Sequence, residues 1–239
     1  MKILDLTFSS PEENLACDEA ILEACEAGRG EETLRFWEPK QIFAVLGYSN
    51  KVETELKKEV CEQDGVPILR RISGGGTVLQ GPGCLNYALI LEIKKRPELA
   101  TVTGANRFIM NRNQEALARL LNKKVTVEGH TDLAIDSLKF SGNSQRRKKR
   151  FLLFHGAFLL NFDFVAIEKY LSMPSQAPAY RKDRPHGAFL TNLNISSLRV
   201  KTVLKKIWAA EGALKTVPRA QIKKMAGEVY SKTEWNFKF

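Results

Sequence analysis

Three consecutive glycines, Gly74, Gly75 and Gly76, sit in the stretch Arg70-Arg71-Ile72-Ser73-Gly74-Gly75-Gly76-Thr77-Val78-Leu79, between two β-forming runs at residues 66–72 and 84–93. Neither a helix nor a strand interior tolerates such a run, so the chain must break there into a loop. The flanking runs predict that a sheet holds this loop, in the manner of a hairpin with an elaborate tip. Glycine reaches left-handed backbone conformations that cost a residue with a Cβ about 1–2 kcal/mol, and it lets main-chain N–H groups approach a ligand. Arg70 and Arg71 bring planar donor forks suited to carboxylate and phosphate oxygens. The stretch reads as an anion cradle; a glycine-rich turn with two solvated arginines is the plainer alternative.

The rest of the chain predicts elements in mixed order. Residues 11–27 begin with Pro11 and two glutamates, carry Leu15, Ile21, Leu22 and Cys25 on one stripe, and stop before Gly28, which suits a helix. Strands are predicted at 34–37 and 42–46, and helix at 52–64. A packing helix follows at 104–121, then short strands at 125–127, 133–136, 138–140, 151–154 and 157–163. Helices return at 164–171, 199–212 and 218–230. Few strict βαβ alternations occur, so the fold class is α+β, a mixed and largely antiparallel sheet flanked by helices, in preference to a Rossmann fold. Repeats and linkers are absent, and residues 1–239 read as one domain.

At 44% hydrophobic and 27% charged residues the chain is globular rather than disordered. No apolar run approaches the roughly 20 residues of a bilayer span, and the start, MKILDLTFSS, lacks a signal-peptide core, so a cytoplasmic protein is expected. The four cysteines, Cys17, Cys25, Cys61 and Cys84, form no metal-type pair and read as free thiols; Cys84, next to the glycine loop, is the one worth testing. A net charge of +10 favours an acidic partner, and the dense block is Arg146-Arg147-Lys148-Lys149-Arg150. A solvated loop, a protein-docking patch and a nucleic-acid patch all answer to that block. Lys139, flanked by apolar and small residues, should be held by a strand beside a Ser-Gly turn.

Arg70-Arg71-x-Ser73-Gly74-Gly75-Gly76-x-Val78 followed by Leu85-Asn86-Tyr87 resembles the glycine-loop signature of lipoate-protein ligases, within the biotin/lipoate ligase and lipoyltransferase superfamily. Asp132-Leu133 with Lys139-Phe140-Ser141-Gly142-Asn143-Ser144-Gln145-Arg146 resembles the family's lysine signature, and His155-Gly156 with Leu159-Leu160-Asn161-Phe162-Asp163 its histidine signature. Weaker matches are Asn14-Leu15-Ala16-x-Asp18-Glu19, Thr191-Asn192-Leu193 and Glu234-Trp235-Asn236. The resemblance runs through essentially the whole chain, with three signatures in order.

It implies a biotin/lipoate ligase-like catalytic domain that activates lipoate, or an octanoyl relative, with ATP and Mg²⁺ to an acyl adenylate and passes the acyl group to a lysine of a lipoyl domain. Lys139 is the implied catalytic residue, its ammonium lying between the acyl carboxyl and the α-phosphate. With it, Arg71, Gly76, Thr77, Val78 and Leu79 would hold the nucleotide. Arg70, Ser73, Gly74, Gly75, Asn86, Ser141, Gly142, His155 and Gly156 would line the lipoyl site, with Leu69, Ile72, Val78 and Phe158 around the acyl chain. The metal ligands are left unassigned. The expected partners are lipoyl domains of 2-oxoacid dehydrogenase E2 subunits or the glycine cleavage H protein, without nucleic acid or membrane. This raises protein docking above nucleic acid for the basic block.

The chain stops soon after Trp235, where many ligases of the family continue into an accessory domain, so no C-terminal accessory domain is expected and a separate accessory subunit is one option. The enzymatic rival is an octanoyl or lipoyl transferase using a preformed donor, either lipoyl-AMP or an acyl carrier protein thioester, the latter through a cysteine thioester. A non-catalytic nucleic-acid-binding protein is the alternative of another class.

Overall fold

The computed structural model describes residues 1–239. Its first helix, α1 (Pro11–Glu26), begins where the sequence places it. Ser10 accepts the Glu13 N–H at 3.1 Å and Pro11 occupies the first turn, a start worth about 1 kcal/mol.

Ten strands form two sheets. β1 (Lys2–Asp5), β2 (Thr33–Trp37), β6 (Cys84–Glu92), β7 (Thr126–Glu128), β8 (Asp132–Ile135), β9 (Leu138–Arg147) and β10 (Phe151–Leu159) make a seven-stranded sheet in the order β1-β2-β6-β10-β9-β8-β7. Only the β1–β2 pairing is parallel. β3 (Phe43–Leu46), β4 (Ile68–Arg70) and β5 (Val78–Gln80) make a smaller sheet in which β3 is central, parallel to β4 and antiparallel to β5. The mixed, largely antiparallel architecture expected from the sequence is the one observed.

The two faces of the large sheet are covered differently. On one, Leu89, Leu91, Leu152 and Phe154 pack with α4 (Val102–Leu121) and α7 (Ser197–Ile207), between which the chain passes through the short α5 (Phe164–Tyr170) and α6 (His186–Phe189). On the other, Ala88, Ile90, Phe151 and Leu153 pack with α1, with α8 (Arg219–Met225) and with Val45 and Leu69 of the small sheet. The alternation of β10, in which 152, 154 and 158 face one cluster and 151 and 153 the other, is the period-two pattern of a strand buried on both sides.

Several sequence expectations change. The runs flanking the glycines do not pair with each other: β4 lies in the small sheet and β6 in the large one. The loop instead joins the two strands that border β3, because β5, hidden in the sequence after Thr77, pairs with β3 before the chain crosses to β6. Residues 151–154 and 157–163 are not two strands, since Gly156 keeps β10 continuous to Leu159. The strand starting at Leu138 runs on through Ser144 to Arg147, so the basic block is half strand and half hairpin turn. Residues 52–64 split into α2 (Val52–Glu55) and α3 (Lys58–Gln63), parted by Leu56, which bridges to Leu171. Near the end, α8 widens into a π-turn at Ala226–Tyr230.

Candidate active site

A β-bulge sets the geometry of the lysine. Between β8 and β9 the register slips by one residue, Leu133 facing Ser141 while Ala134 faces Lys139. Phe140 is the extra residue, and its side chain drops into the cluster against α4. Lys139 and Gly142, three apart, thereby share the face on which Asp132 lies. The Lys139 ammonium is 2.8 Å from Asp132 Oδ1, and Asp132 Oδ2 accepts the Tyr180 hydroxyl at 2.8 Å. A Cβ on Gly142 would lie 2.9 Å from the Lys139 Cε and Nζ, so glycine is what lets the ammonium lie against the strand.

One two-residue step along β9, about 7 Å, brings the strand to Ser144, whose hydroxyl donates to the Gly74 carbonyl at 2.8 Å. The glycine loop is thus tied to the lysine strand. Gly75 takes φ +85°, and its carbonyl passes so close over Gly47 that a Cβ there would collide with it. Gly74 and Gly76 are exposed, with nothing within 4 Å of where a Cβ would stand. Those two positions are open to a ligand.

Both arginines lie beneath the loop rather than in it. Arg70 is 0% exposed and gives its guanidinium to the carbonyls of Gly47, Tyr48, Asn50, Trp235 and Asn236. Trp235 returns its indole N–H to the Arg70 carbonyl at 2.8 Å, and Tyr48 and Trp235 enclose the Lys238 ammonium at 3.5 and 3.9 Å from their ring centroids. Arg71 donates to Ser73 Oγ at 3.0 Å and to the Val45, Gly74 and Gly76 carbonyls at 3.3, 2.6 and 2.8 Å. Burial pulls its pKa down to about 10, which leaves it charged at neutral pH. The forks expected to meet a ligand are turned to the protein's own carbonyls, and the reason is physical: a loop of three glycines has no side chains of its own, so buried guanidiniums fix its carbonyls.

The remaining candidates divide between the two faces. His155, opposite Ser144 in the β9–β10 register, lies on the Lys139 face, with Nε2 2.6 Å from Ser73 Oγ and Nδ1 3.4 Å from Asp18 Oδ2. Asn86 is on that face too, but its amide forms a reciprocal pair with Gln80 at 2.9 Å in both directions and is 5% exposed. Ser141 and Phe158 face each other on the opposite side, where Phe158 stacks on Tyr87 at 5.1 Å. Phe158 therefore does not join Leu69, Ile72 and Val78, which cluster on the other side of the sheet. Gly156 lies beside Asn143: a Cβ there would overlap the Asn143 amide oxygen, which accepts the Tyr87 hydroxyl at 2.6 Å. Thr77 reaches the Asn50 side chain at 3.4 Å, and Val78 and Leu79 belong to β5.

Asp132, Tyr180 and Ser144 join the site only in the folded chain. Asp132 stood in the quoted signature; Tyr180 lies 48 residues from it and carries no local signal. All four thiols are buried, and burial pushes those of Cys17, Cys25 and Cys84 up to about 12 and that of Cys61 upward. The basic block is largely engaged: Lys148 pairs with Glu23 at 2.6 Å, Glu26 accepts the Arg150 N–H at 3.0 Å, and Arg147 donates to the Leu99 carbonyl at 2.7 Å. No helix is long and apolar enough to cross a membrane.

A lysine and an exposed glycine loop thus lie on one face of the sheet in an α+β domain. The chain belongs to the lipoyl protein ligase A/B catalytic domain family, whose model matches residues 10–209. It is 26% identical over 274 residues to the octanoyltransferase LipM of Geobacillus kaustophilus, covering 99% of this chain and 98% of that protein. It is 27% identical over 244 residues to the "Probable lipoate-protein ligase A" of Mycoplasma genitalium, covering 95% of this chain and 69% of that one. In fold it matches the bipartite lipoate protein ligase of Thermoplasma acidophilum, solved in a study of that ligase and its E2 lipoyl domain, with a TM-score of 0.84, 21% identity, and 99% and 95% of the two chains covered. The protein is thus an enzyme of a family that contains both ligases and acyl transferases.

Proposed function

We propose that the protein is a lipoate-protein ligase that activates lipoate, or octanoate, with ATP and transfers the acyl group to a lysine of a lipoyl domain. The observation that carries this reading is the pairing of a lysine with an open glycine cradle on a face that holds no usable thiol. A carboxylate is a poor acyl donor until its oxygen is made a leaving group, and adenylation does so without an enzyme nucleophile. The carboxylate oxygen attacks the α-phosphorus, pyrophosphate leaves, and the amine of the acceptor lysine then displaces AMP at the acyl carbon. Two anions must meet in the first step. The Lys139 ammonium, steered by Asp132, offsets their repulsion and the charge that develops on the transferring phosphoryl group.

The residues fit a nucleotide. Gly74 and Gly76 leave the space that phosphates need, and the Arg71 guanidinium beneath orients the loop so that its amides can serve as donors. Mg²⁺ would travel on the triphosphate oxygens. Leu69, Ile72 and Val78 offer an apolar wall for the acyl chain. E2-type lipoyl domains are the acceptors this reading favours, and a separate accessory subunit would complete activation if the chain alone forms adenylate slowly.

The second reading is an octanoyl transferase, favoured by the full-length likeness to LipM. Such a transferase working through a thioester needs a nucleophilic cysteine, and here each thiol is buried with its pKa raised. One assay separates the two: the purified protein with an apo lipoyl domain and lipoate or octanoate, with and without ATP and Mg²⁺, against octanoyl carrier protein or lipoyl-AMP as donor. ATP-dependent modification lost in Lys139→Ala supports the ligase. Modification from the carrier alone, lost in Cys84→Ser, overturns it, and modification from lipoyl-AMP alone assigns activation to a partner subunit.

A further inference from the structure

The segment Asn14-Leu15-Ala16-x-Asp18-Glu19 has no role in the reading above, yet it reaches the site through a chain of buried polar groups. Asp18 is 3% exposed on α1. One of its oxygens meets Arg35 Nη1 at 2.5 Å, and the other faces His155 Nδ1 at 3.4 Å. Arg35, 0% exposed, is further held by the Asn14 carbonyl at 2.8 Å and the Asn14 side-chain oxygen at 3.0 Å. At the far end His155 Nε2 is 2.6 Å from Ser73 Oγ, which also accepts from Arg71 Nε. The series Arg35–Asp18–His155–Ser73–Arg71 thus connects the α1 face of the sheet to the foot of the glycine loop.

Donor and acceptor chemistry constrains the protons along this series. Arg35 and Arg71 are donors only, and the Asp18 carboxylate is an acceptor only. The imidazole must therefore present Nδ1–H to Asp18, and in its neutral form it leaves Nε2 bare to accept the Ser73 hydroxyl. Ser73 in turn gives its proton to His155 and keeps its lone pairs for Arg71. We propose that Asp18 is a positioning residue for the acyl-activating site: acting through His155, it directs the Ser73 proton away from the glycine loop and so holds the loop, with its Gly74 and Gly76 faces open, in the form that takes the anionic substrate. Substrate binding at this loop rests on the function proposed above; the proton arrangement does not.

Asp18→Asn separates this from a packing role. The amide has one oxygen, and the Arg35 contact claims it, so the NH₂ turns to His155 Nδ1 and drives the ring to its Nε2–H form. Ser73 then receives two donors and its own proton points elsewhere. Long-range ¹H–¹⁵N correlation spectra of the protein without ligands report the tautomer directly. The expected result is Nδ1–H in the wild type and in Ser73→Ala, and Nε2–H in Asp18→Asn. With whichever acyl donor the wild type accepts, KM for that donor should rise about three- to tenfold in Asp18→Asn, the worth of one redirected hydrogen bond, with kcat within about twofold.

An Nε2–H tautomer or a ring protonated on both nitrogens in the wild type, a tautomer that follows Ser73→Ala, or a folded Asp18→Asn whose KM is unchanged would each overturn the proposal. If Asp18→Asn does not fold, the wild-type and Ser73→Ala spectra still decide it. Failure of the ligase reading appears separately, as the wild type using a carrier thioester instead of free acid and ATP.

Discussion

The Lys139 ammonium lies 2.8 Å from Asp132, and Asp132 is steadied from its other side by the Tyr180 hydroxyl. The lysine is aimed rather than merely present. Lys139→Ala should lower adenylate formation, followed as lipoate-dependent pyrophosphate exchange, by at least about a hundredfold while the far-UV circular dichroism stays the same. Tyr180→Phe, which frees Asp132 on one side only, should lower the rate by about threefold to tenfold.

The glycines of the site predict opposite phenotypes. Gly156→Ala forces a methyl group into the Asn143 amide and lies 2.6 Å from the Gly142 carbonyl. It should cost about 1–3 kcal/mol in urea unfolding. Gly142→Ala meets the far end of the flexible Lys139 side chain, with Asp132 Oδ1 at an ordinary 3.6 Å, so stability should change by less than about 1 kcal/mol while activity falls as the ammonium is pushed aside. Gly76→Ala enters open space and should leave the unfolding midpoint alone, raising KM for ATP if phosphates fill that space.

Thiol chemistry should be silent in the native state. Cys84 is 2% exposed, with its thiol pushed up to about 12. An excess of an aromatic disulfide reagent at neutral pH should release almost no thiolate colour until denaturant is added. Cys84→Ser should retain full transfer to a lipoyl domain.

Acid stability has a definite sign. Burial opposes the Asp18 carboxylate, but Arg35 and His155 outweigh it, and its pKa lies below the usual value. Glu32 is likewise held low, the Arg96 hydrogen bond and the Glu92 amide overcoming burial. Because both are lowered on folding, their contribution is full above about pH 4–5 and is lost as pH falls through the folded values. Glu19, raised by burial, works in the reverse sense. Urea midpoints should drop between pH 5 and 3, and the drop should shrink in Glu32→Gln, which lacks the titrating carboxyl.

Docking should depend on the part of the basic hairpin left free. Lys149 is exposed and has no ion-pair partner, whereas Lys148 is matched with Glu23. Lys149→Glu should raise KM for an acidic lipoyl domain about threefold at low salt, with the difference fading in 0.5 M NaCl because exposed charges are screened there.

The sequence shows α1 and α4 through their stripes and caps, and β6 and the start of β10 through continuous apolar runs, but it gives no sign of β1 and stops β9 at residue 140, beyond which that strand is polar. It misled at the glycine loop. β5 is three residues long and holds its place only by pairing with β3, a contact that no local pattern encodes. The bulge at Phe140 was equally hidden: a two-residue alternation read from Lys139 would put Ser141 beside the lysine, whereas Gly142 is there. Arg70 and Arg71 looked like ligand contacts because a sequence displays charge without burial. Asp18 and Tyr180 act across 137 and 48 residues, separations at which only the folded chain pairs them with His155 and Asp132.

The grip of Arg70 on the Trp235 and Asn236 carbonyls also orders events in time. A ribosome makes Arg70 165 residues before Trp235, and until that distant segment emerges the guanidinium has the Gly47, Tyr48 and Asn50 carbonyls for Nη1 but none for Nε and Nη2. The foot of the glycine loop is therefore among the last parts to settle during synthesis. A nascent chain halted between residues 163 and 234 would carry all three main signatures and still lack the Trp235 and Asn236 carbonyls that anchor the foot of the loop.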